Sequence, residues 1–470
     1  MGRKERFYVD VMALHPEVTG SCSLVVVKYP DGDSTRFIVD CGLFQEEEYK
    51  HYNQDFPFDC TNCEFVLITH DHTDHVGRLP LLVKKGFNGH IYMSETSKIL
   101  LPIVLKDCQK VMSESAKRWC QKELYSEANT FEACGMAVEC KYEETIYINR
   151  HIKATFFVNG HLLGAAIILV QISFPGYDDI NILFTGDYNS KNLFFEVPQL
   201  PDWVLELPLT VVQEATYGNM NSNIIVPSLE DNIVMCMNKN KTAVCMAFSL
   251  GRYQEVLYIL KIMKERGKID DSIPIYLDGK LALRYTTLYP KLDIIRPELK
   301  DFLPTNIRMV DKTLRESLME NQENKIILTT SGMGTYGPAQ RYIPSYISQQ
   351  DCLLQFTGYT AEGTLGRQLK DTTRGEKVVI NGLVKKKLAN VEYTNELSAH
   401  AKADEMIAFL KSFKNLKLVL INHGEYAAKQ KFSFRVSSEI KAKNVAILGR
   451  DYLFRINPYG LVRSFSTSFD

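Results

Sequence analysis

The sequence predicts an α/β protein of two or three domains, and three observations predict it. The chain has 470 residues, and at about 150 residues per domain that length fills two or three. Hydrophobic residues make up 45% and charged residues 24%. This ordinary globular balance supplies a core and excludes disordered, collagen-like and disulfide-scaffold chains. Short β-branched runs dominate the first 70 residues, whereas residues 217–394 alternate helical and strand-like stretches. Such alternation builds a parallel sheet.

The elements follow in order. Residues 23–29 are apolar and β-branched, Tyr29-Pro30-Asp31-Gly32-Asp33 signals a turn, and residues 36–40 return as the second strand of a hairpin. Residues 64–69 form a nearly continuous apolar run, the mark of a buried strand, and the loop after it holds His70 to His75. Residues 77–85 read as a helix. A longer helix is expected over about 95–128, amphipathic through Ile99, Leu100, Ile103 and Val104. Strands return at 166–170 and 181–184, and Thr210-Val211-Val212 leads into Gln213-Glu214-Ala215-Thr216-Tyr217-Gly218. In the middle, 252–264 is helical, while 274–277 and 325–328 are strands followed by glycine-containing loops. The tail holds a helix at 403–413 and a strand at 417–421.

Lys and Arg total 55 against 56 Asp and Glu, a net charge of -1. A chain coated in basic charge is excluded; a local basic groove is not. The 11 cysteines are scattered through apolar runs, as free thiols of a reducing compartment would be. MGRKERFYVD lacks the apolar core of a signal peptide, and Arg6 breaks a myristoylation motif. No apolar run approaches the roughly 18 residues of a membrane span. The expectation is a cytoplasmic enzyme with no membrane partner.

The strongest chemical signal is Thr69-His70-Asp71-His72-Thr73-Asp74-His75. Three imidazoles and two further carboxylates follow an apolar strand. A turn there can aim His70 and His72 to one side and Asp74 and His75 to another. Imidazole nitrogen and carboxylate oxygen suit Zn2+, which holds them at about 2.0–2.2 Å. Two neighbouring ions account for the cluster better than one, because it has more donors than one open catalytic zinc requires.

His70, His72, Asp74 and His75 resemble the HxHxDH motif of the metallo-β-lactamase superfamily. Asn159-Gly160-His161, Phe184-Thr185-Gly186-Asp187 and Ile421-Asn422-His423-Gly424 resemble that superfamily's later ligand motifs. The resemblance implies one ion on His70, His72 and His161, another on Asp74, His75 and His423, and Asp187 bridging them. Asp40, in Val39-Asp40-Cys41-Gly42, matches an aspartate that orients ligands from behind them. The middle region narrows the family. Gln213-Glu214-Ala215-Thr216 resembles motif A of the β-CASP nucleases, Leu397-Ser398-Ala399-His400 motif B, and His423 motif C. This group includes bacterial and archaeal RNases and the endonuclease subunit of the cleavage and polyadenylation specificity factor.

The resemblance implies a fold and a reaction. The fold is an αββα metallo-β-lactamase sandwich from 1–214 and 395–470, with an inserted α/β β-CASP domain, built on a parallel sheet, at 215–394. The reaction is hydrolysis of phosphodiester bonds in single-stranded RNA, endonucleolytic with 5'-exonuclease action as a second mode. Members acting on RNA carry His at motif C, as His423 does here. Two Zn2+ are implied, with Mn2+ as a substitute, and a homodimer or RNA-processing complex as the assembly. Asp74 would stand close to the nucleophile, and His400 would protonate the leaving oxygen with Glu214 fixing its tautomer. Ser331 and the backbone of Gly332 could cradle a phosphate, although a plain strand-to-helix turn reads the same way. Arg252, Arg341 and Arg367 could grip phosphates or form salt bridges, and Tyr359 could stack on a base or fill a core. Lys402 departs from the family, which often has Asp there. Cys60-Thr61-Asn62-Cys63 has no second pair and does not make a zinc ribbon. Hydrolysis of a small ester or thioester on the same metals, and a non-catalytic scaffold, are the competing readings.

Overall fold

A computed structural model describes residues 6–466 apart from 16, 47, 119, 121, 223–227, 322, 395, 398, 441–443 and 451. Ser398 of the motif B stretch therefore lies outside the described residues, as do Trp119 and Gln121. The chain forms two units: Met1–Asn192, Val197–Asn223 and His400–Asp470 in one, and Leu193–Glu196 with Ile224–Ala399 in the other.

The first unit is built on two sheets. One has eight strands in the spatial order Gly460–Ser466, Tyr452–Asn457, Tyr8–Ala13, Ser23–Lys28, Ser34–Val39, Phe65–Leu67, His90–Ser94 and Ala137–Cys140. The hairpin expected near the N-terminus is there, with Ser23 opposite Val39 and Lys28 opposite Ser34. From Ser34–Val39 onward the pairing turns parallel. The other sheet has seven strands, in the order Asn444–Ile447, Leu416–Asn422, Leu209–Glu214, Ile180–Phe184, Ala166–Ile172, Ile152–Val158 and Thr145–Tyr147. Alternation along the strands gives each sheet an apolar inner face. Val9, Val25, Phe37 and Leu67 of the first meet Phe156, Ile168, Ile182 and Leu420 of the second in one buried cluster.

Helices cover the outer faces. Met406, Ile407 and Leu410 of helix Ala403–Ser412 and Phe432 and Val436 of helix Tyr426–Glu439 pack on Leu169, Leu183, Val211 and Val419. Helix Glu95–Arg118 covers the first sheet over His90–Ser94 and Ala137–Cys140. The layer order is the expected αββα.

Two local expectations need correction. The single helix over 95–128 is two: Glu95–Arg118, then Glu127–Gly135. Ser126 caps the second, its Oγ accepting from the Asn129 N–H, and a capping box of this kind starts a new helix. The buried stripe of the first runs through Leu100, Leu101, Val104 and Leu105, while Ile99 points outward. The segment after Thr69 is not all loop, because Thr73–Val76 makes one helical turn.

The second unit carries a six-stranded sheet, parallel throughout, in the order Ile307–Met309, Ile275–Asp278, Lys325–Thr329, Thr242–Met246, Leu353–Phe356 and Asn390–Tyr393. Its four inner strands are buried along their length because helices cover the sheet, whereas the edge strands Ile307–Met309 and Asn390–Tyr393 carry polar residues. Helix Ala339–Tyr346 contributes Tyr342, Ile343 and Tyr346 to a core with Val244, Ile327 and Leu354. Strands Lys377–Ile380 and Leu383–Lys386 form a separate hairpin, whose Asn381 and Gly382 take φ of 51° and 77°, as a tight Asn-Gly turn requires. No described helix is long and apolar enough to cross a membrane.

Candidate metal centre

Most cluster residues sit where a strand of the first unit ends, and His72, Asp74 and His75 sit at or in the helical turn Thr73–Val76 that follows one. Asp40 follows Ser34–Val39, His70 follows Phe65–Leu67, and His161 follows Ile152–Val158. Asp187 follows Ile180–Phe184, Glu214 closes Leu209–Glu214, and His423 follows Leu416–Asn422. Ile180–Phe184, Leu209–Glu214 and Leu416–Asn422 run parallel, so their C-terminal ends share one rim. The backbone is bent to reach the centre: Asp40 and His423 take left-handed φ of 62° and 38°. Such conformations cost about 1–3 kcal/mol each and persist only where surroundings fix them. Asp40 is fixed by the Leu67 carbonyl on its own N–H and by Thr69, whose N–H and Oγ1–H donate to its carboxylate at 2.8 and 2.9 Å. Gly186 has φ 57°, and a Cβ there would lie 2.7 Å from Thr69 Cβ.

Three imidazoles converge. His72 Nδ1 lies 3.1 Å from His70 Nε2 and 3.1 Å from His161 Nε2. A tetrahedral zinc with bonds of about 2.0–2.1 Å sets its nitrogens about 3.3 Å apart, so these spacings fit one ion. Asp187 Oδ2 lies 3.6 and 3.7 Å from His70 Nε2 and His161 Nε2. The same oxygen is 3.4 Å from His75 Nε2, and Asp187 Oδ1 is 3.2 Å from His423 Nδ1. The donors fall into two groups, His70, His72, His161 and Asp187, and Asp74, His75 and His423. Nε2 of His75 and of His423 and Oδ1 of Asp187 are buried without a hydrogen bond among the described residues. Buried polar atoms are otherwise paired, and a cation would satisfy all three. The residues therefore fit a metal.

The electrostatics agree. Burial drives His70 well below its ordinary pKa, His72 down to about 3 and His423 to about 4. Neutral imidazoles keep the lone pairs that metals need. Burial alone would lower His75 too, but the Asp187 and Asp40 carboxylates hold it well above. These carboxylates favour positive charge on that ring, the sign a metal ion brings. Burial opposes the charge of Asp187, yet His423, His75 and His400 keep it well below the carboxylate range. His75 Nδ1 lies 2.8 Å from Asp40 Oδ2, the carboxylate–imidazole pair that aims the other ring nitrogen at a metal. Burial raises Asp74 to about 6.

His400 stands beside this cluster. Its Nδ1 lies 2.9 Å from Glu214 Oε1 and its Nε2 3.9 Å from Asp187 Oδ2. Glu214 is buried and itself fixed by the N–H groups of Tyr188 and Thr216 at 2.7 and 3.0 Å. Burial would lower the pKa of His400, but Glu214 and Asp187 raise it to about 9. With Lys402 in place of the usual Asp, His400 Nδ1 still meets Glu214 Oε1.

The other candidates lie in the second unit. Ser331 and Gly332 follow strand Lys325–Thr329, and Tyr359 follows Leu353–Phe356, at the C-terminal ends of the parallel sheet. There the Ser331 hydroxyl accepts from the Tyr336 N–H at 3.4 Å. Arg252 is buried against Glu255, and Arg367 donates to Asp371 at 3.0 Å. Arg341 is exposed. Cys60 and Cys63 are buried free thiols pushed up to about 12 by burial, so neither is a ready metal ligand.

Three site residues have no signature of their own in the sequence. Thr69 Oγ1 lies 3.1 Å from His70 Nδ1, and Thr216 Oγ1 lies 3.1 Å from His423 Nδ1. Arg78, fully buried, donates to the carbonyls of Gly42 at 2.5 Å and Tyr52 at 3.1 Å and lies over Phe44 and Phe56. Only the adjacency of each threonine to a motif residue hinted at a role.

Comparison with known proteins bears on this centre. Residues 16–112 match the metallo-beta-lactamase superfamily, 253–369 the Beta-Casp domain, and 385–448 the Zn-dependent metallo-hydrolase RNA specificity domain. The transcription termination factor FttA of Methanosarcina mazei is 29% identical over 463 residues, covering 92% of this chain and 69% of the factor. A ribonuclease of Thermus thermophilus is 28% identical over 87% of this chain and 91% of its own length. The endoribonuclease ysh1 of Schizosaccharomyces pombe is 27% identical over 83% of this chain, which spans 51% of that protein. With these three domains in one polypeptide, the chain is a hydrolase of the metallo-β-lactamase superfamily in its Beta-Casp branch.

Proposed function

We propose that the protein is a ribonuclease that hydrolyses phosphodiester bonds in single-stranded RNA at a dinuclear zinc centre. The observation that carries this reading is the pair of donor groups meeting at Asp187 with His400 beside them. A relative named as a ribonuclease, another named as an endoribonuclease and the matched RNA specificity domain support RNA as the substrate. In this reading 1–214 and 395–470 form the metallo-β-lactamase domain and 215–394 the β-CASP domain. The eleven free thiols suit a reducing compartment such as the cytoplasm.

His70, His72 and His161 would hold one ion and Asp74, His75 and His423 the other, with Asp187 a donor to either. When bound, the ions supply the positive charge that clamps the scissile phosphate and acidifies a water. Zinc suits the imidazole-rich donors, and manganese is expected to support activity. Asp74 receives the proton of the attacking water. Phosphorus–oxygen cleavage leaves a 3'-oxygen, and His400 Nε2 delivers the proton that makes it a hydroxyl. Glu214 keeps the other ring nitrogen protonated, so Nε2 is the donating atom once the ring is charged. Asp40 orients His75. Within the second unit, Ser331 and Gly332 would hold a phosphate of the RNA, and Arg341 and Arg367 would add positive charge. Tyr359 stacks on a base, while Arg252, buried in its pair with Glu255, takes the salt-bridge role and no phosphate contact.

Purified protein assayed on end-labelled single-stranded RNA tests the reading. The wild type is expected to cleave internally, leaving 5'-phosphate and 3'-hydroxyl ends, and a 5'-blocked RNA separates internal from terminal attack. His70→Ala should lose zinc and activity together. His400→Ala should keep zinc and lose about 10²–10⁴ in kcat. Intact RNA after incubation with zinc-loaded wild type would reject the reading.

A further inference from the structure

The first unit carries a pocket that none of these roles uses. Its volume is about 440 Å³, within the range that holds a small ligand. Asn219, Asn221, Gln430, Lys431, Phe434 and Arg435 line it. Gly218 and Ala403 complete the lining and are too small to fill it. Gln430 and Phe434, and Lys431 and Arg435, are two i,i+4 pairs on helix Tyr426–Glu439, so they share one side of it. The opposite side buries Phe432 and Val436 in the core.

Phe434 is 75% exposed. Its ring is the one large apolar side chain that lines the pocket. Around it stand two cations and three amides, and among the described residues no carboxylate lines the pocket. Arg435 is held in place, its Nη1 donating to Asn221 Oδ1 at 2.7 Å and its Nε to Glu439 Oε1 at 2.8 Å. Lys431 has no ion pair among the described residues. A flat ring, cations and amides together are the equipment for one nucleotide: a base on the ring, its edge on the amides, its phosphate on the cations.

The pocket is also tied to the metal centre. Helix Tyr426–Glu439 begins three residues after His423, and Ala403 lies three residues after His400. Gly218 lies four residues after Glu214, its N–H donating to the Ala215 carbonyl at 3.0 Å. Tyr426, 57% exposed at the start of the helix, stands about 12 Å along the axis from Phe434. The helix leads outward from the centre to the pocket.

We propose that this pocket is a subsite for one nucleotide of single-stranded RNA, which stacks its base on Phe434 and sets a phosphate against Lys431 and Arg435. The subsite rests on the ribonuclease reading above and deepens it. It would hold the strand beyond the scissile bond, so it would act on binding and not on the chemical step.

Zinc-loaded protein, a labelled oligouridine and its 4-thiouridine form test this. Phe434→Ala is expected to raise KM about tenfold with kcat little changed, the effect of losing one base stack. Phe434→Trp should restore KM. Lys431→Gln should flatten the dependence of KM on salt. Photocrosslinking of the 4-thiouridine RNA to the wild type should map to helix Tyr426–Glu439. Phe131, 83% exposed on helix Glu127–Gly135, is the control, and Phe131→Ala should leave KM unchanged. Wild-type KM in Phe434→Ala, with no crosslink to the helix, overturns the subsite alone and is the result a protein-docking surface would give. A wild type that neither binds nor cleaves RNA overturns the subsite and the ribonuclease reading together.

Discussion

At the scale of single residues, His400 and Glu214 show how a side chain is tuned by what it faces. Burial disfavours a charged imidazole, but Glu214 and Asp187 reverse the sign and hold His400 protonated up to about 9. A group raised above its ordinary value near 6.5 keeps its proton as pH climbs through neutrality. With no metal bound, the acid form of His400 is therefore present across the physiological range and is lost only as pH rises towards 9. Glu214→Gln removes the larger of the two attractions. The expected result is an alkaline limb of the kcat–pH profile moved to lower pH, with zinc content unchanged. An unmoved limb would reject His400 as the proton donor held by Glu214. His70, His72, Asp74 and His75 were readable in the sequence because they crowd into one short segment. Thr69, Thr216 and Arg78 were not, because each acts only through the partner that folding brings to it.

At the scale of elements, the cluster depends on how closely the strand ends pack. A Cβ on Gly42 would lie 1.5 Å from the Asp74 carbonyl oxygen, which accepts from the Ser21 N–H at 2.8 Å. Neither backbone can move without shifting the turn Thr73–Val76 that carries Asp74 and His75. Gly42→Ala is expected to cost about 3 kcal/mol or more, the upper range for overpacking, and to lower zinc affinity as well. Urea unfolding and competition with a chromogenic chelator would measure the two effects. A variant with wild-type values of both would show that the turn tolerates displacement. The strands were readable from β-branched runs, and the hairpin from Tyr29-Pro30-Asp31-Gly32-Asp33. The short helix Thr73–Val76 was not, because one turn leaves no periodicity to detect. The break between helices Glu95–Arg118 and Glu127–Gly135 was missed because neither Gly nor Pro interrupts residues 119–126; Ser126 with Asn129 was the available signal.

At the scale of the whole molecule, the sequence shows that residues 217–394 hold a parallel sheet but not the order of its strands, which long-range pairing decides. It also cannot show that the last strands, Tyr452–Asn457 and Gly460–Ser466, return to Tyr8–Ala13 at the other end of the chain. That return matters for stability. The first unit is assembled from three separate stretches, and its buried centre gathers ligands from two of them: His70 to Asp187 from the first and His423 from the last. Metal binding there must link those stretches, whereas the second unit has its own core around Val244, Ile327 and Leu354. Ligand bound only to the folded state stabilises by about 4 kcal/mol at a thousandfold excess over Kd. Stripping the metals should therefore lower the unfolding transition of the first unit selectively. Hydrogen exchange followed by mass spectrometry reads this directly. Amides of Ile180–Phe184, Leu209–Glu214 and Leu416–Asn422 should lose protection in metal-free protein and regain it with zinc, while those of Ile275–Asp278 and Lys325–Thr329 should not change. Equal loss in both sheets would mean that the two units unfold as one, and the metal centre would then clasp the entire chain instead of the unit that carries it.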